Sequence, residues 1–432
     1  MRIIFYVLSA GVAAVVTFGL AMVIWKLSTK FRLYPKVRER DVHTIPTPRL
    51  GGIAMFLGVV AAFAVGSQLP QLSIVFSEPG KILAVLGAAA IIVGIGVADD
   101  IWDLDWLTKL AGQIIAAALL AWQGIQIVAL PFFTGTNGTS TSVLLSPYMF
   151  LAITVFLVVL VMNAVNFIDG LDGLVAGVAI IANSVFFVYS YVVTYGPTDQ
   201  SDYFNLPQFV SAVLIGACVG FLPLNWHPAK LFMGDAGALL VGLLMATTTI
   251  GFTGNVDLTT LTSQGDKAFL PAFIPILLPF AVLVIPLLDF GLAVFRRLRA
   301  GKSPFSADRL HLHHRLLDMG HSHLHAVLIF YSWTATVSFG LLLFLFTPSW
   351  VAIVVTATGL VVCTIVTLSP LSRRKAVEAA VQLAPEGVAT DAEVAYLDPL
   401  DAASDPLALD AVTTDAEADI ALTRLQRREA SS

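Results

Sequence analysis

The sequence contains little charge and almost no cysteine. Asp, Glu, Lys and Arg make up only 12% of its 432 residues, whereas 57% are hydrophobic and the mean hydropathy is +0.85. Soluble domains carry about twice that charged fraction, so the composition excludes an ordinary soluble domain. The two cysteines, Cys218 and Cys363, lie inside apolar runs without a CxxC pair. They indicate neither a disulfide framework nor a thiolate metal site.

Long apolar runs predict an all-α polytopic membrane protein, a bundle of about eleven transmembrane helices. The runs lie near residues 3–25, 50–69, 81–98, 109–130, 147–165, 173–194, 208–224, 236–254, 269–295, 327–346 and 350–368. Lys and Arg concentrate after the first run, at 26–49, and after the ninth, at 296–315. Because basic loops stay in the cytoplasm, the amino terminus is predicted outside and the carboxyl terminus inside.

The chain divides into two predicted parts. Residues 1–370 form the transmembrane domain, and residues 371–432 form an acidic tail that is rich in Ala and poor in aromatic residues. Such a composition cannot bury enough apolar surface to order itself, so a disordered cytoplasmic tail is expected.

The first unusual polar segment is VADDIWDLD at 97–105. If it is helical, Asp99 and Asp103 share one face while Asp100 points about 100° away. Carboxylates are suited to Mg²⁺ and can accept a proton from a phosphate. An acidic helix end exposed to solvent is the alternative.

The second segment, NAVNFIDGLDGL at 163–174, follows a long apolar run. It carries four polar side chains three residues apart: Asn163, Asn166, Asp169 and Asp172. Gly170 and Gly173 favour a break, and a glycine-rich turn there would present free N–H groups to a phosphate. Helix capping is the alternative for the polar side chains. The spacing of Gly173 and Gly177 indicates close helix packing.

The third segment, FLPLNWHPAKLFMGDAGALLVG at 221–242, places Asp235 just before a helix of small residues. Asp235 is either an N-cap or a metal ligand, and two other acidic clusters on the same side favour the ligand. Phe232 is suited to stacking on a base, although a lone aromatic residue often packs in the membrane.

The fourth segment, SPFSADRLHLHHRLLDMGHSH at 303–323, is rich in histidine. His311, His313, His314 and Arg315 are suited to binding a diphosphate or sugar hydroxyls. A zinc site is the weaker alternative because neither Cys nor HExxH accompanies them. For His321, His323 and His325, a solvated basic loop is the favoured interpretation.

All four segments fall on the predicted cytoplasmic side, which favours a single site for a cytosolic substrate. A channel or carrier would place polar groups near the middle of the membrane or on both faces.

Taken together, the motifs resemble the polyprenyl-phosphate N-acetylhexosamine-1-phosphate transferase family of bacterial inner membranes. The resemblance covers residues 1–370 and rests on PTPRLGG (46–52), DDIWD (99–103), NAVNFIDGLDGL (163–174), FMGD (232–235) and HLHH (311–314). The HLHH motif looks like the branch of the family that uses UDP-GlcNAc. The chain lacks the three consecutive histidines and the upstream lysine that are typical of the other branch. The UDP-MurNAc-pentapeptide branch of peptidoglycan synthesis is the alternative within the family, and an ion transporter is the alternative outside it.

The resemblance implies transfer of N-acetylglucosamine 1-phosphate to a polyprenyl phosphate, the first step of a cell-envelope glycan such as lipopolysaccharide or arabinogalactan. It implies Mg²⁺, with Mn²⁺ as a substitute, held by Asp235 and Asn166. It implies Asp99 and Asp100 as catalytic groups that deprotonate the lipid phosphate, alongside Asp235. The implied substrate-binding residues are Asn163, Asp169, Asp172, Phe232, His311, His313, His314 and Arg315. Membrane lipids surround the protein, no nucleic-acid partner is expected, and a homodimer is left open.

Overall fold

The described part of the chain is a bundle of α-helices. A computed structural model describes residues 3–31, 47–127, 130–133, 140–143, 146–195, 205–253, 291–292, 294–299, 301, 316–317 and 319–383. The helices are α1 (Ile3–Phe31), α2 (Gly51–Gly66), α3 (Pro79–Trp102), α4 (Trp106–Trp122), α5 (Pro147–Ile168), α6 (Leu174–Tyr195), α7 (Asn205–Asn225), α8 (Gly234–Thr253), α9 (His323–Leu343) and α10 (Ser349–Leu383).

Eight of these helices are long and apolar enough to cross a membrane: α1, α3, α5, α6, α7, α8, α9 and α10. The apolar helices α2 and α4 are shorter and coincide with the second and fourth predicted runs. These helices confirm the predicted all-helical membrane class. The predicted run at 269–295 lies almost entirely outside the described residues, so the count of eleven and the side of each terminus stay predictions.

Two departures from the predicted outline occur in the described residues. A short antiparallel hairpin, β1 (Leu130–Phe133) and β2 (Ser140–Val143), pairs Leu130 with Val143 between α4 and α5. Helix α10 continues past the predicted domain boundary at residue 370 to Leu383. Residues 384–432, the rest of the predicted tail, lie outside the described residues.

Local sequence accounts for several helix starts. Pro79 and Pro147 each stand at the beginning of a helix, where the missing N–H of proline costs nothing. The carboxylate of Asp105 caps α4 by accepting from the backbone N–H groups of Leu107 and Thr108, at 3.0 and 3.1 Å.

Small residues bring the helices together. Gly216 and Gly220 of α7 lie against the backbone of α1 at Ala10 and Ala14, and Gly242 of α8 lies against Met162 of α5. Close backbone approach through small residues is the usual packing of helices in lipid. Helix α8 is the most enclosed candidate span, and α10 is the most exposed.

The two ends of the bundle differ in chemistry. The end of α3, the end of α5 and the start of α8 meet at one end, which we call the acidic end. The segment 67–78 between α2 and α3 lies at the other, because α2 begins at the acidic end and rises about 24 Å over its 16 residues.

Candidate functional site

The motifs PTPRLGG and FMGD are joined by backbone hydrogen bonds at the acidic end. The N–H groups of Gly51 and Gly52 donate to the carbonyls of Phe232 and Met233, at 3.0 and 2.9 Å. The N–H of Phe232 donates in return to the carbonyl of Pro48, at 2.8 Å. PTPRLGG therefore fixes the entry of the chain into α8, and with it the position of Asp235.

Glycines allow this junction to close. A Cβ atom on Gly52 or Gly96 would collide with the backbone at Ala236 and Gly237 in the first turn of α8. Gly234 has a φ of +66°, and a Cβ there would collide with the carbonyl of Arg49 and the carboxylate of Asp100. Only a residue without a side chain combines this conformation with such close approach.

Three carboxylates gather at this junction, and we call Asp99, Asp100 and Asp235 the acidic cluster. Lys109 of α4 places its Nζ 2.5 Å from Oδ2 of Asp99 and 3.4 Å from Oδ2 of Asp235. Oδ1 of Asp99 accepts from the N–H of Leu104 at 2.8 Å. Both oxygens of the buried Asp99 are thus engaged, whereas Asp235 keeps 31% of its side chain exposed.

Asp100 has an oxygen to spare. Its Oδ1 accepts from the backbone N–H of Asp235 at 3.3 Å. Its Oδ2 is buried and has no hydrogen-bond partner in the described part of the chain. A buried polar atom in that condition is costly and marks a place where a proton, cation or ligand is expected. Arg49 is close enough for its positive charge to act on both Asp100 and Asp169.

The pairing of Asp99 with Asp103, expected from helical spacing, is wrong. Helix α3 ends at Trp102, and Asp103 adopts a left-handed conformation with φ 54° and an exposed side chain. The residue that joins Asp99 at the site is therefore Asp100.

The second motif breaks where its glycines predicted. Helix α5 ends at Ile168 and α6 begins at Leu174, leaving residues 169–173 as the α5–α6 turn. The expected phosphate cradle of free N–H groups is wrong at Gly173, because its N–H donates to Oδ1 of Asn225 at 3.1 Å. The predicted packing role of Gly177 is confirmed, since it lies directly against the ring of Tyr331.

Asp169 follows the last residue of α5, and both burial and neighbouring charges affect the pKa of its carboxyl. Desolvation raises the pKa of its carboxyl to about 7, and the negative charges of Asp235 and Asp172 push it in the same direction. The positive charge of Arg49 opposes them. Asp169 therefore sits within electrostatic range of the acidic cluster and can exchange a proton near neutral pH.

Asp172 is held inside the protein. The residue is only 3% exposed. Its Oδ2 accepts a hydrogen bond from the N–H of Ala229 at 3.0 Å and pairs with Nδ1 of His227 at 2.8 Å. The ring of His227 stacks on that of His323, the first residue of α9, at 5.0 Å and 15°.

The remaining residues expected at the site differ in their surroundings. Asn163 donates to Oε1 of Gln113 at 2.6 Å and to the carbonyl of Val159 at 2.8 Å, so its amide ties α5 to α4. Asn166 lies on the same face of α5, half-buried, and its side chain makes no hydrogen bond to the described residues. Phe232 is half-buried beside the acidic cluster.

The histidine segment is only partly described. His311, His313, His314 and Arg315 lie outside the described residues. His321 and His325 make local contacts, to the carbonyl of Thr367 and to the Ser322 hydroxyl. His323 departs from the solvated loop that was expected, because its ring stacks on His227.

Sequence reasoning missed three cations at this end. Lys109 begins the fourth apolar run, where a lone ionisable group signals function. Arg49 and Arg297 belong to the two basic stretches that orient the loops, and this hides their position at the site. Arg297 is in fact 4% exposed and lies over the ring of Phe167, at 5.5 Å, next to Asn166.

The donor set is compatible with a hard divalent cation. In the described residues, no three His, Cys, Asp or Glu side chains are arranged as a metal-binding group. Mg²⁺ does not require one, because it is usually held by one or two carboxylates together with substrate phosphates and water. The Oδ2 of Asp100, which has no hydrogen-bond partner among the described residues, and the partly exposed carboxylate of Asp235 fit that mode of binding.

Comparison with known proteins shows the family of this chain. The sequence model of glycosyl transferase family 4 matches residues 82–253, which include the acidic cluster and the α5–α6 turn. The decaprenyl-phosphate N-acetylglucosaminephosphotransferase of Mycobacterium leprae is 41% identical over 363 residues, covering 84% of this chain and 89% of the relative. The chain belongs to glycosyl transferase family 4.

Two further relatives are less similar to this chain. The probable undecaprenyl-phosphate N-acetylglucosaminyl 1-phosphate transferase of Bacillus subtilis is 29% identical, over 72% of this chain and 76% of the relative. The phospho-N-acetylmuramoyl-pentapeptide-transferase of Mycolicibacterium smegmatis is 28% identical, over 55% of this chain and 74% of the relative.

Proposed function

We propose that this family member transfers N-acetylglucosamine 1-phosphate from UDP-GlcNAc to a polyprenyl phosphate, giving polyprenyl-diphospho-GlcNAc and UMP. The observation that carries the proposal is the gathering of three carboxylates, two of them in contact with Lys109, at one end of a bundle of membrane helices. The names of the relatives that match most of the chain support the same reaction.

The position of the site matches the two substrates. A polyprenyl chain needs contact with lipid, whereas its phosphate and the nucleotide sugar are charged and must meet at the membrane surface. The acidic end meets both needs. We assign it to the cytoplasmic face of the bacterial inner membrane, because the basic residues of the sequence concentrate on this side.

The reaction exchanges one phosphorus–oxygen bond for another. An oxygen of the lipid phosphate attacks the phosphorus that carries GlcNAc, and the bond from that phosphorus to the bridging oxygen breaks. UMP leaves with the bridging oxygen and its electron pair. Such a transfer between anions requires alignment and charge neutralisation more than covalent help.

Asp100 is the better placed of the two candidate bases. Both oxygens of Asp99 are engaged, by Leu104 and Lys109, whereas Oδ2 of Asp100 is available to take the last proton of the lipid phosphate. Lys109 then balances the negative charge that two substrates bring to the acidic cluster.

Mg²⁺ is proposed as the cofactor, with Mn²⁺ as the alternative, and Asp235 and Asn166 as the residues that would hold it. When bound, it would offset the charge of the diphosphate. Asp235 is partly exposed, and the Asn166 amide makes no hydrogen bond within the described residues, so both have oxygens to offer.

The nucleotide sugar is proposed to lie beside the α5–α6 turn. Asp169 is half-buried there, within electrostatic range of Asp235, and Phe232 offers a ring for uracil. His311, His313, His314 and Arg315 remain proposed contacts of the diphosphate and sugar. Binding of UDP-GlcNAc to His313→Ala tests that assignment, since unchanged affinity would remove the loop from the site.

A transfer assay tests the function directly. Membranes that overexpress the chain should move radiolabel from UDP-GlcNAc into a butanol-extractable lipid when Mg²⁺ and decaprenyl or undecaprenyl phosphate are present, with UMP released in equal amount. Membranes carrying Asp235→Asn provide the control. Failure of the wild-type chain to label lipid with either polyprenyl phosphate would refute the proposal.

The same assay separates the alternatives. UDP-MurNAc-pentapeptide should label little or no lipid, in line with the lower identity to the pentapeptide transferase. An ion transporter would bury charges near the middle of its spans. In the described part of the chain, the charged side chains that are buried, Asp99, Asp172 and Arg297, lie at the acidic end instead.

A further inference from the structure

Asp172 carries the second carboxylate of the α5–α6 turn, but its contacts point inward. Its Oδ2 meets the backbone N–H of Ala229 at 3.0 Å and Nδ1 of His227 at 2.8 Å, and the residue is 3% exposed. A buried carboxylate oxygen that accepts from two protein donors, as Oδ2 of Asp172 does, is suited to fixing structure rather than to binding a soluble substrate.

We propose that Asp172, His227 and His323 are positioning residues that couple the α5–α6 turn to α9. The proposal rests on the proposed function, because the turn carries Asp169 and begins three residues after Asn166. It reassigns Asp172 from a contact of the nucleotide sugar to a support for the groups that make such contacts.

The turn is anchored at its last glycine as well as at Asp172. The N–H of Gly173 donates to Oδ1 of Asn225 at 3.1 Å, and its carbonyl accepts from the hydroxyl of Tyr331 at 2.6 Å. Asn225 in turn donates through Nδ2 to the carbonyl of Leu231 at 3.1 Å. One short turn is thereby tied to the end of α7, to the segment before α8 and to α9.

The stacked histidines complete the coupling. The rings of His227 and His323 are nearly parallel, 15° apart, with centroids 5.0 Å from each other. Because the Asp172 carboxylate only accepts, Nδ1 of His227 carries the proton of their hydrogen bond. His227 therefore meets the turn with one edge and the start of α9 with its face.

Helix α9 contacts the α5–α6 turn at a second point besides the stacked histidines. It begins at His323, shortly after the segment 311–315, and Tyr331 of the same helix holds the carbonyl of Gly173. Movement of the start of α9 is therefore transmitted to the turn that holds Asp169. The three positioning residues set the distance between the turn and the start of α9.

Steady-state kinetics with UDP-GlcNAc distinguish positioning from substrate contact. Asp172→Asn, His227→Gln and His323→Ala should each lower kcat by about 10- to 100-fold, the cost of a small misplacement of reacting groups, while the KM for UDP-GlcNAc changes less than about threefold. His323→Phe keeps a ring for stacking and should restore most of kcat. His325→Ala, at an exposed position in the same helical turn, is the matched control and should resemble wild type.

A double-mutant cycle tests whether Asp172 acts through His227. The variant with both Asp172→Asn and His227→Gln should lose no more kcat than the worse single variant, because the two residues share one interaction. Additive losses, or a raised KM for UDP-GlcNAc with unchanged kcat in Asp172→Asn, would overturn the proposal.

Thermal unfolding of the same purified proteins without substrate separates this inference from the proposed function. The loss of Tm should also be non-additive in the cycle, whatever the enzyme transfers. Non-additive unfolding in a chain that labels no lipid would refute the function and leave the coupling intact. Additive unfolding would refute the coupling even in an active enzyme.

Discussion

The ammonium group of Lys109 lies 3.4 Å from Oδ2 of Asp235, although the two residues are 126 positions apart in the chain. The same Nζ lies against Asp99, so one cation joins α3, α4 and α8 at the acidic end. Removing it would leave neighbouring carboxylates to repel each other and would leave the charge of the substrates less balanced.

Replacement of Lys109 by Met should therefore lower kcat for transfer about 100-fold or more, the typical cost of losing one electrostatic group at a reacting phosphate. Lys81→Met is the matched control, because Lys81 also lies on an apolar helix but pairs with Glu78 at the opposite end. Measurement of lipid labelling at saturating UDP-GlcNAc gives the comparison. Equal activities of the two variants would remove Lys109 from the site.

Loss of a carboxylate from the acidic cluster should be more damaging than loss of the neighbouring Asp103. Asp235→Ala should abolish transfer, and Asp99→Asn and Asp100→Asn should slow it by about 100-fold or more. Asp103→Asn should keep near-normal turnover, because Asp103 is exposed and asparagine tolerates its left-handed conformation.

Those rates are best measured across a series of Mg²⁺ concentrations. If Asp235 holds the cation, Asp235→Glu should retain some turnover and require more Mg²⁺ than wild type. Near-normal turnover and Mg²⁺ dependence in Asp235→Ala would show that the assignment of the metal ligand is mistaken.

Gly96→Ala should destabilise the contact between α3 and α8. A Cβ there meets the backbone of Ala236, which cannot move aside as a side chain could, so a cost of about 1–3 kcal/mol is expected. Gly94→Ala, two residues earlier on the same helix, meets nothing within 4 Å and should be neutral or slightly stabilising. Thermal unfolding in detergent compares the pair, and equal Tm values would contradict the packing argument.

Cysteine labelling tests the proposed orientation. Cys218 and Cys363 are both buried, so wild-type protein should react little with a membrane-impermeant maleimide. Gln68→Cys, at the end opposite to the acidic cluster, should be labelled in intact cells. Trp102→Cys, whose position is 72% exposed at the acidic end, should be labelled only after the cells are opened. The reverse pattern would place the site outside.

The sequence predicted the membrane class and the acidic end because both depend on local signals. Apolar runs of span length mark helices, and the glycines of the second motif mark the break between Ile168 and Leu174. Local signals do not reveal whether Asp100 or Asp103 joins Asp99 at the site. Whether α3 stops at Trp102 depends on one left-handed residue, and periodicity does not reveal it.

Long-range contacts account for the rest of the difference. The inward contacts of Asp172 depend on His227 and Ala229, which reach it only after α7 has folded back on α6. The role of Lys109 likewise depends on a crossing of α4 with α8. Spacing along one helix could suggest that these residues were unusual, but only packing decides what each of them touches.

The backbone pairing of PTPRLGG with FMGD also has a consequence for synthesis of the protein. A nascent chain that has inserted α1 to α7 contains Asp99, Asp100 and Lys109 but not yet Asp235, nor the carbonyls that hold Gly51 and Gly52. Gly52 of α2 and Gly96 of α3 have no α8 backbone to pack against until that helix is made. A chain that ends before α8 therefore lacks both the third carboxylate of the acidic cluster and the backbone partners of Gly51 and Gly52.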